Sequence, residues 1–307
     1  MIKQKKIISF ITIMIATLLF LKIIDYFFYK FYGLGSPILY ASSKQFGYKI
    51  KPNQNVKRKG NNILINESGM RSSNKWKDEN GKFKILFFGD SVTYGGSLVN
   101  NNELFSEKIC DKLNKNEINY LCGNYGTNGY SIFSIIRRIK YTDLENTNLI
   151  VLTLISNNVP RSFHNVLSQP FWSKKIDNFY PALTEIIFII LDKYRNKIKY
   201  QLGSEEILSK IDNIYYDDLI EELKITLNEK NVKFIIFYSP SVEERYNPLK
   251  NIVFKNKLIK LENFYDLSSI NIIKKNEIYY DNIHLNKSGH EIYSNYMSET
   301  IKELIKN

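Results

Sequence analysis

The sequence predicts an α/β protein with a five-stranded, parallel, doubly wound sheet behind one N-terminal transmembrane helix. Three observations lead to this fold class: an uncharged apolar run near the N-terminus, short apolar runs typical of buried strands, and helical patterns between them. Strands that alternate with helices are typical of parallel sheets covered on both faces. The five predicted strands are Phe83–Phe88, Tyr120–Asn124, Asn148–Ile155, Lys233–Ser239 and Asn263–Leu267.

The N-terminal run is long enough to cross a bilayer. Ile7–Tyr29 has 23 residues, and a helix of that length spans the roughly 30 Å of a hydrocarbon core. Lys22 and Asp25 lie one turn apart near its end, where their side chains can pair or reach the interface. Aromatic residues cluster there, at Tyr26–Tyr29 and Phe31–Tyr32, as is typical of a membrane–water interface.

The charges before this run predict its orientation. Lys3, Lys5 and Lys6 favour a cytoplasmic N-terminus, so we expect a single-pass membrane protein with residues 33–307 outside the cytoplasm. A cleaved signal peptide is the alternative, because the uncharged core Ile7–Leu21 also has the length of such a peptide's apolar region. The small residues nearest to that core, Gly33–Gly35, do not follow it closely, which favours an uncleaved anchor.

A lead-in of about fifty residues separates the anchor from the first strand of the sheet. Short alternating runs and turn residues between Gly47 and Arg71 predict a β-hairpin. The lead-in contains Asn66–Arg71, which has the pattern N-x-x-G-M-R and comes shortly before the first strand.

A Gly-Asp-Ser turn ends the first strand of the sheet. Because Phe83–Phe88 stops at a glycine, we expect Ser91 at the carboxyl edge of the sheet, where open α/β sheets bind ligands. Far along the chain, Asp281 precedes His284 by three residues. A serine nucleophile needs a base, and the base needs an orienting group, so these residues are candidates for a Ser-His-Asp triad. The alternative is an ordinary strand-to-helix turn in which Asp90 or Ser91 caps the helix.

Four short blocks, in this order along the chain, resemble the SGNH (GDSL-type) hydrolase family. Gly89–Ser91 is similar to the serine block, and Asp281–His284 to the DxxH block. Between them, Asn124–Ser131 resembles the second block, in which Gly129 matches the glycine that offers its backbone N–H. The resemblance covers roughly residues 60–305 and is specific because all four blocks occur in order.

The third block is Ile155–Asn158, which resembles the family's GxND pattern. Asn157 matches the asparagine of that pattern. Ile155 stands in place of the glycine and Asn158 in place of the aspartate, so Asn158 is an alternative for the asparagine role.

The resemblance implies a flavodoxin-like, three-layer α/β/α fold and acyl-transfer chemistry. Ser91 would attack an ester carbonyl, His284 would take its proton and return it to the leaving alcohol, and Asp281 would hold the imidazole. The negative oxygen that forms would accept hydrogen bonds from the backbone N–H groups of Ser91 and Gly129 and from the side-chain amide of Asn157.

The domain organisation expected from these patterns has three parts. Residues 1–32 are the membrane anchor with a short cytoplasmic tail, 33–81 the lead-in, and 82–307 the hydrolase domain. Within this domain, 160–231 is longer than one crossover helix needs and is expected to be a helical insertion or cap. Its apolar core, Tyr180–Leu191, is too short to span a bilayer, so we expect it to cover the cleft or to contact the membrane surface.

The remaining residues with possible chemistry are two cysteines and two histidines. Cys110 and Cys122 fall in neighbouring predicted elements and could form a disulfide in an oxidising compartment or remain two buried thiols. His290 lies in the predicted helix Ser288–Ile305 and is expected to be structural, and His164 to be solvated. No cluster of His, Cys and carboxylate side chains indicates a metal site, and no cofactor is expected.

Composition agrees with a membrane-associated enzyme. The net charge of +12 favours an anionic neighbour such as lipid headgroups or an acidic glycan. Nucleic acid is not an expected partner, because the basic residues are scattered and no recognition motif occurs. The N-x-x-G-M-R element is similar to one in membrane-anchored SGNH proteins of surface-polysaccharide pathways.

The predicted function is therefore a serine esterase that removes O-acyl groups, with acetyl expected, from a cell-envelope or surface polysaccharide. The expected partners are an acylated glycan and membrane lipid. An O-acyltransferase for the same glycans, supplied by an acyl-donor membrane protein, is the close alternative, because the triad is common to both reactions. A non-catalytic glycan-binding or scaffold protein is the second alternative.

Overall fold

The computed structural model describes most of the chain. The described residues are 2–77, 81–114, 119–156, 182–187, 190–191, 213–250, 252–270 and 277–306. Asn157, Asn158 and His164 lie outside these ranges, as do residues 160–181, 188–189 and 192–212 of the expected insertion.

The chain begins with an apolar helix that stands apart from the core. Helix α1 (Ile2–Phe27) continues as a π-helical turn, Phe28–Tyr32. The span Gln4–Tyr32 is long and apolar enough to cross a membrane, and its apolar window is entirely unburied within the protein. Exposed apolar side chains of this kind are expected of a helix surrounded by lipid. The predicted span is thus present as a helix, and its orientation stays a prediction.

Two antiparallel hairpins follow the N-terminal helix. Their strands are β1 (Tyr40–Ser43), β2 (Gly47–Ile50), β3 (Gln54–Arg58) and β4 (Asn61–Ile65). β1 pairs with β2, and β3 pairs with β4. The sequence predicts only one hairpin here, because β1 is short and lacks an alternating apolar pattern. Tyr40, Tyr48 and Ile63 are buried in the core on one side of the main sheet, so the hairpins pack on the α/β body.

Five parallel strands form the central sheet. They are β5 (Phe83–Gly89), β6 (Tyr120–Asn124), β7 (Leu149–Leu154), β8 (Lys233–Tyr238) and β9 (Phe264–Asp266). Their order across the sheet is β6-β5-β7-β8-β9, with every neighbouring pair parallel. Numbered along the sheet, this is the flavodoxin-like order 2-1-3-4-5. The predicted five-stranded parallel sheet is confirmed.

Helices cover both faces of this sheet. They are α2 (Ser91–Tyr94), α3 (Phe105–Leu113), α4 (Ile132–Lys140), α5 (Asn213–Glu229), α6 (Val242–Tyr246), α7 (Ile252–Leu258) and α8 (Lys287–Lys306). Successive residues of β5 point to opposite faces, so Phe87 packs with α3 and α8, and Phe88 packs with α4, α5 and α7. The resulting three layers confirm the predicted α/β/α class.

The helix α5 lies within the range 160–231 of the expected insertion. Leu219, Leu223 and Leu227 are buried in the core beside the sheet. This helix therefore belongs to the layer that covers the sheet, and the extent of the insertion stays a prediction. A short helical stretch at 182–187 is described within the insertion.

A disulfide joins α3 to the edge strand β6. Cys110 and Cys122 are bonded, with their Cα atoms 5.9 Å apart. Of the two alternatives that the sequence leaves open, the structure therefore holds the disulfide.

Candidate active site

The Gly-Asp-Ser turn places Ser91 at the carboxyl end of the central strand β5. A Cβ at Gly89 would lie 2.0 Å from Thr93 Oγ1 and 2.7 Å from a backbone carbonyl oxygen of β7, so only glycine fits. Asp90 caps α2, because its carboxylate accepts a hydrogen bond from the Val92 N–H at 2.9 Å. The capping interpretation therefore applies to Asp90, while the Ser91 hydroxyl has a different partner.

That partner is the predicted base. His284 Nε2 lies 2.8 Å from Ser91 Oγ, although the two residues are 193 positions apart. The other ring nitrogen, Nδ1, lies 2.7 Å from Asp281 Oδ2. The structure thus brings together all three predicted triad residues in one continuous hydrogen-bonded chain.

Local backbone contacts hold the acid in place. Asp281 Oδ1 accepts hydrogen bonds from the backbone N–H groups of His284, at 2.8 Å, and Ile283, at 2.9 Å. Partial burial raises the pKa of Asp281, but these two N–H groups and the His284 ring outweigh it, so the pKa lies below the usual range. An ionised carboxylate accepts a hydrogen bond from the Nδ1–H group, and this fixes the tautomer in which Nε2 carries no proton and can accept the serine proton.

The turn that carries the acid and the base has its own support. The Tyr280 N–H donates to the His284 carbonyl at 2.8 Å, which closes the turn. Directly before it, the Tyr279 hydroxyl donates to the Pro240 carbonyl at 2.6 Å and accepts from Arg245 Nε at 2.8 Å. The sequence does not identify Arg245 as part of the site. The one local signal is that Tyr279 lies two residues before Asp281.

The second block is tied to the helix that begins at Ser91. Asn124 Nδ2 donates to the Thr93 carbonyl at 2.7 Å, and Asn124 Oδ1 accepts from the Gly126 N–H at 2.9 Å. Gly129, the candidate oxyanion donor, has a φ of +78°, which glycine adopts without strain. The donor role of its N–H remains a prediction.

The strand before the third block ends beside the nucleophile. In the register of the sheet, Thr153 of β7 pairs with Gly89 of β5, so the end of β7 lies next to the Ser91 turn. Asn157 and its alternative Asn158 lie outside the described residues, and their role also stays a prediction.

Arg71 stabilises the loop that follows the nucleophile. Its fully buried guanidinium donates to the carbonyl oxygens of Tyr94, at 2.6 Å, and Gly96, at 2.8 Å. It also donates to the Val99 carbonyl and to Asn101 Oδ1. The N-x-x-G-M-R element draws attention to Arg71 without giving it a role. The structure shows that this residue positions the backbone after α2.

The third histidine is buried away from the triad hydrogen bonds. His290 Nδ1 accepts a hydrogen bond from the Phe105 N–H at 3.2 Å, and burial lowers the pKa of His290 to about 3. The imidazole is therefore neutral. Among the residues that the structure describes, no group of three or more His, Cys, Asp or Glu side chains could hold a metal ion.

A hydrogen-bonded Ser-His-Asp chain at the carboxyl edge of a parallel α/β sheet is the arrangement of a serine hydrolase. The solved structures that this chain resembles include GDSL and SGNH hydrolases and esterases.

Three of these structures illustrate the likeness. A member of the lipolytic G-D-S-L family from Veillonella parvula has 18% identity and a TM-score of 0.41, with 73% of this chain and 99% of that chain covered. The psychrotrophic esterase EstA from Pseudoalteromonas sp. has 14% identity and a TM-score of 0.44, with 73% and 99% covered. A two-domain esterase active on acetylated mannans has 12% identity and a TM-score of 0.43, with 72% and 49% covered.

These values describe a likeness of fold and carry no argument about substrate. No protein-family model matches the sequence, and comparison with curated proteins gave no match. The functional assignment therefore depends on the atoms of the chain itself.

Proposed function

We propose that the protein is a membrane-anchored serine esterase that removes O-acyl groups, with acetyl expected, from a cell-envelope or surface polysaccharide. The observation that carries this proposal is the hydrogen-bonded chain from Asp281 through His284 to Ser91. A non-catalytic scaffold would have no need to hold three dispersed residues in this geometry.

The reaction follows from the roles of the three side chains. Ser91 Oγ attacks the ester carbonyl carbon while His284 Nε2 takes its proton, and the Asp281 carboxylate stabilises the imidazolium. The tetrahedral intermediate collapses as His284 gives the proton to the departing sugar oxygen, which leaves an acyl-serine. Water then attacks the acyl carbon while His284 takes one of its protons. His284 returns that proton to Ser91 Oγ as the intermediate collapses, which releases the carboxylic acid and the free serine.

The tetrahedral oxygen needs donors that are fixed before the reaction. The proposed donors are the backbone N–H groups of Ser91 and Gly129 and the side-chain amide of Asn157. One such donor typically contributes about 3–4 kcal/mol of transition-state stabilisation.

The exposure of the acid and the base and the apolar N-terminal helix support an envelope glycan as substrate. The side chains of Asp281 and His284 are 47% and 24% exposed, so this side of the site faces water, whereas Ser91 is buried at the base of the turn. The helix Gln4–Tyr32 would keep the enzyme at the membrane, where envelope polymers are assembled.

Acetate release tests the proposal. The full chain, purified in detergent micelles, should release acetate from an O-acetylated polysaccharide, and Ser91→Ala should release none. Ser97→Ala, which changes a half-buried serine six positions further on, is the matched control and should keep the activity.

The other outcomes are equally informative. Hydrolysis of an aryl acetate without acetate release from any acetylated glycan would contradict the glycan substrate. Transfer of acetyl to an added sugar acceptor in preference to water would establish the acyltransferase alternative. Failure of Ser91 to react with a fluorophosphonate would favour the scaffold alternative.

A further inference from the structure

The described part of the insertion packs against the end of the anchor helix. The backbone N–H of Leu183 donates to Asp25 Oδ1 at 2.7 Å, across 158 positions of sequence. Glu185 is buried, forms a salt bridge with Arg58 and accepts a hydrogen bond from the Gly35 N–H at 2.6 Å. These contacts fix the short helix at 182–187 beside the chain that leaves the anchor.

The other side of this segment is apolar and exposed. Ile186, Ile187, Ile190 and Leu191 are between 38% and 60% exposed. Their spacing is that of one helical face, and it is opposite to the face on which Glu185 is buried. Contiguous exposed apolar side chains of this kind mark a contact with another apolar phase or molecule.

The contact with Asp25 determines how far this face lies from the membrane. Asp25 lies seven residues before the end of the span Gln4–Tyr32, which is about 10 Å along a helix axis. The interfacial layer on each side of a bilayer is about 5–7 Å thick. A backbone group bonded to Asp25 therefore lies close to the boundary between headgroups and acyl chains when the helix spans a membrane.

We propose that the described residues 182–187 and 190–191 form a second membrane contact, in which the exposed apolar side chains named above insert into the interfacial layer beside the anchor helix. The occupant of this face is the lipid bilayer, as in interfacial amphipathic helices. The charge of Glu185 does not oppose this arrangement, because Glu185 forms a salt bridge with Arg58. The Asp25 carboxylate accepts a hydrogen bond from the Leu183 N–H, which partly replaces its hydration. The inference rests on the membrane anchor of the proposed function and does not depend on its chemistry.

The turn that carries Asp281 and His284 lies close to the point where the chain leaves the anchor helix. The Gly60 N–H donates to the Tyr32 carbonyl at 3.1 Å, and the neighbouring Lys59 Nζ lies 5.8 Å from the centre of the Tyr280 ring. Tyr280 directly precedes Asp281. Two contacts at the anchor, instead of one flexible tether, would hold this turn near the bilayer surface and favour acyl esters presented there.

Fluorescence with lipid-borne quenchers tests the docking on the full chain. The protein is reconstituted into vesicles of phosphatidylcholine with a minor share of phosphatidylglycerol. Some of the lipid molecules carry a nitroxide quencher on an acyl chain. Ile187→Cys carries an environment-sensitive fluorophore, and the two native cysteines are protected in their disulfide. Ile259→Cys is the matched control, because Ile259 is 53% exposed and follows α7 at the amino edge of the sheet.

We expect the label at position 187 to emit at shorter wavelength and to lose at least half of its emission to the quencher, and the label at 259 to be unaffected. A label at Leu18→Cys, within the anchor helix, reports insertion of the anchor itself. Quenching at 18 without quenching at 187 would overturn the docking while leaving the anchor intact. Short-wavelength emission at 187 without lipid quenching would mean that protein covers this face, which would also overturn it.

Hydrolysis of a soluble aryl acetate by the same vesicles separates this inference from the proposed function. If the wild-type protein does not hydrolyse this ester, the proposed esterase activity is contradicted, whatever the quenching shows. Ile187→Cys should keep the wild-type rate on this substrate, because it lies outside the catalytic site.

Discussion

Asp281 shows how much of the chemistry depends on one side chain. One of its oxygens contacts the His284 ring, and the other accepts two backbone N–H groups. In Asp281→Asn the amide oxygen can keep the backbone contacts, which turns the NH2 group towards Nδ1 and favours the wrong imidazole tautomer. We expect kcat for an aryl acetate to fall by about 10⁴-fold, with little change in KM. A fall of less than tenfold in steady-state assays would show that His284 acts without its orienting acid.

His290 illustrates a buried residue that matters for stability and not for the reaction. Burial lowers the pKa of His290 to about 3 in the folded chain, whereas the ordinary value is 6.5. Below pH 6.5 the unfolded state therefore binds more protons, and the folded state loses stability as the pH falls. Between pH 7.5 and pH 5.5 this histidine alone should lower the free energy of unfolding by about 1.4 kcal/mol.

Denaturant unfolding of His290→Asn and the wild type at both pH values measures this term. The free energy of unfolding of the wild type minus that of His290→Asn should be smaller at pH 5.5 than at pH 7.5 by about 1.4 kcal/mol. Glu107→Gln is a control in which the pH effect has the opposite sign. Burial raises the pKa of Glu107 to about 7, so the folded state of the wild type gains stability as the pH falls through 7, and the variant should lack this gain. A difference for His290→Asn that does not change with pH would contradict a neutral, buried imidazole.

At the scale of elements, the strand β2 is linked to the loop that carries Gly129, the candidate oxyanion donor. The Tyr48 hydroxyl donates to the carbonyl oxygen of Asn128. Since a carbonyl and the following N–H point to opposite sides of a trans peptide, this contact turns the Gly129 N–H away from the hairpin. The lead-in thereby helps to orient a donor that the chemistry is expected to need.

Removal of this hydroxyl tests the link. We expect Tyr48→Phe to lower kcat by about tenfold with an unchanged KM, because misorientation weakens a donor used mainly in the transition state. Tyr40→Phe is the control, since the Tyr40 hydroxyl accepts a hydrogen bond from the Asn128 side chain at 3.1 Å. Equal losses in both variants, or none, would contradict a positioning role for Tyr48.

Local sequence patterns predict the regular elements well. The apolar run Tyr120–Asn124 predicts β6 at its observed bounds, and the C-terminal helix Ser288–Ile305 differs from α8 by one residue at each end. Each of these elements is defined by its own periodicity and its flanking turns. The strand β1 carries no such pattern. It is extended because it pairs with β2, and its own sequence does not show this.

At the scale of the whole molecule, the sequence places the triad but not its surroundings. Ser91, Asp281 and His284 are predictable because each lies in a short block with fixed spacing at the end of a strand or before a helix. The acceptors of Arg71 are mostly backbone carbonyls, which every residue carries, so no residue pattern reveals them. The contact of Asp25 with Leu183 joins two distant segments and depends on the complete fold.

The topology of the whole chain remains to be measured. The lysines before Ile7 and the apolar span predict that residues 33–307 lie outside the cytoplasm and stay attached to the membrane. In cells opened only at their outer barrier, added protease should digest the catalytic domain, and carbonate washing should leave undigested protein in the membrane fraction. Protection from the protease would reverse the orientation, and a shortened soluble form would show that the anchor is cleaved.

The nucleophile is the centre of the proposed function, and a fluorophosphonate probe tests it most directly. Ser91 Oγ should displace fluoride from the probe, so mass spectrometry of the digested full chain should find one phosphonate adduct, on Ser91. The adduct should be lost in Ser91→Ala and form far more slowly in His284→Ala, whereas Ser97→Ala should label like the wild type. An adduct on another residue, or unchanged aryl acetate turnover by Ser91→Ala, would contradict the Ser91–His284–Asp281 mechanism.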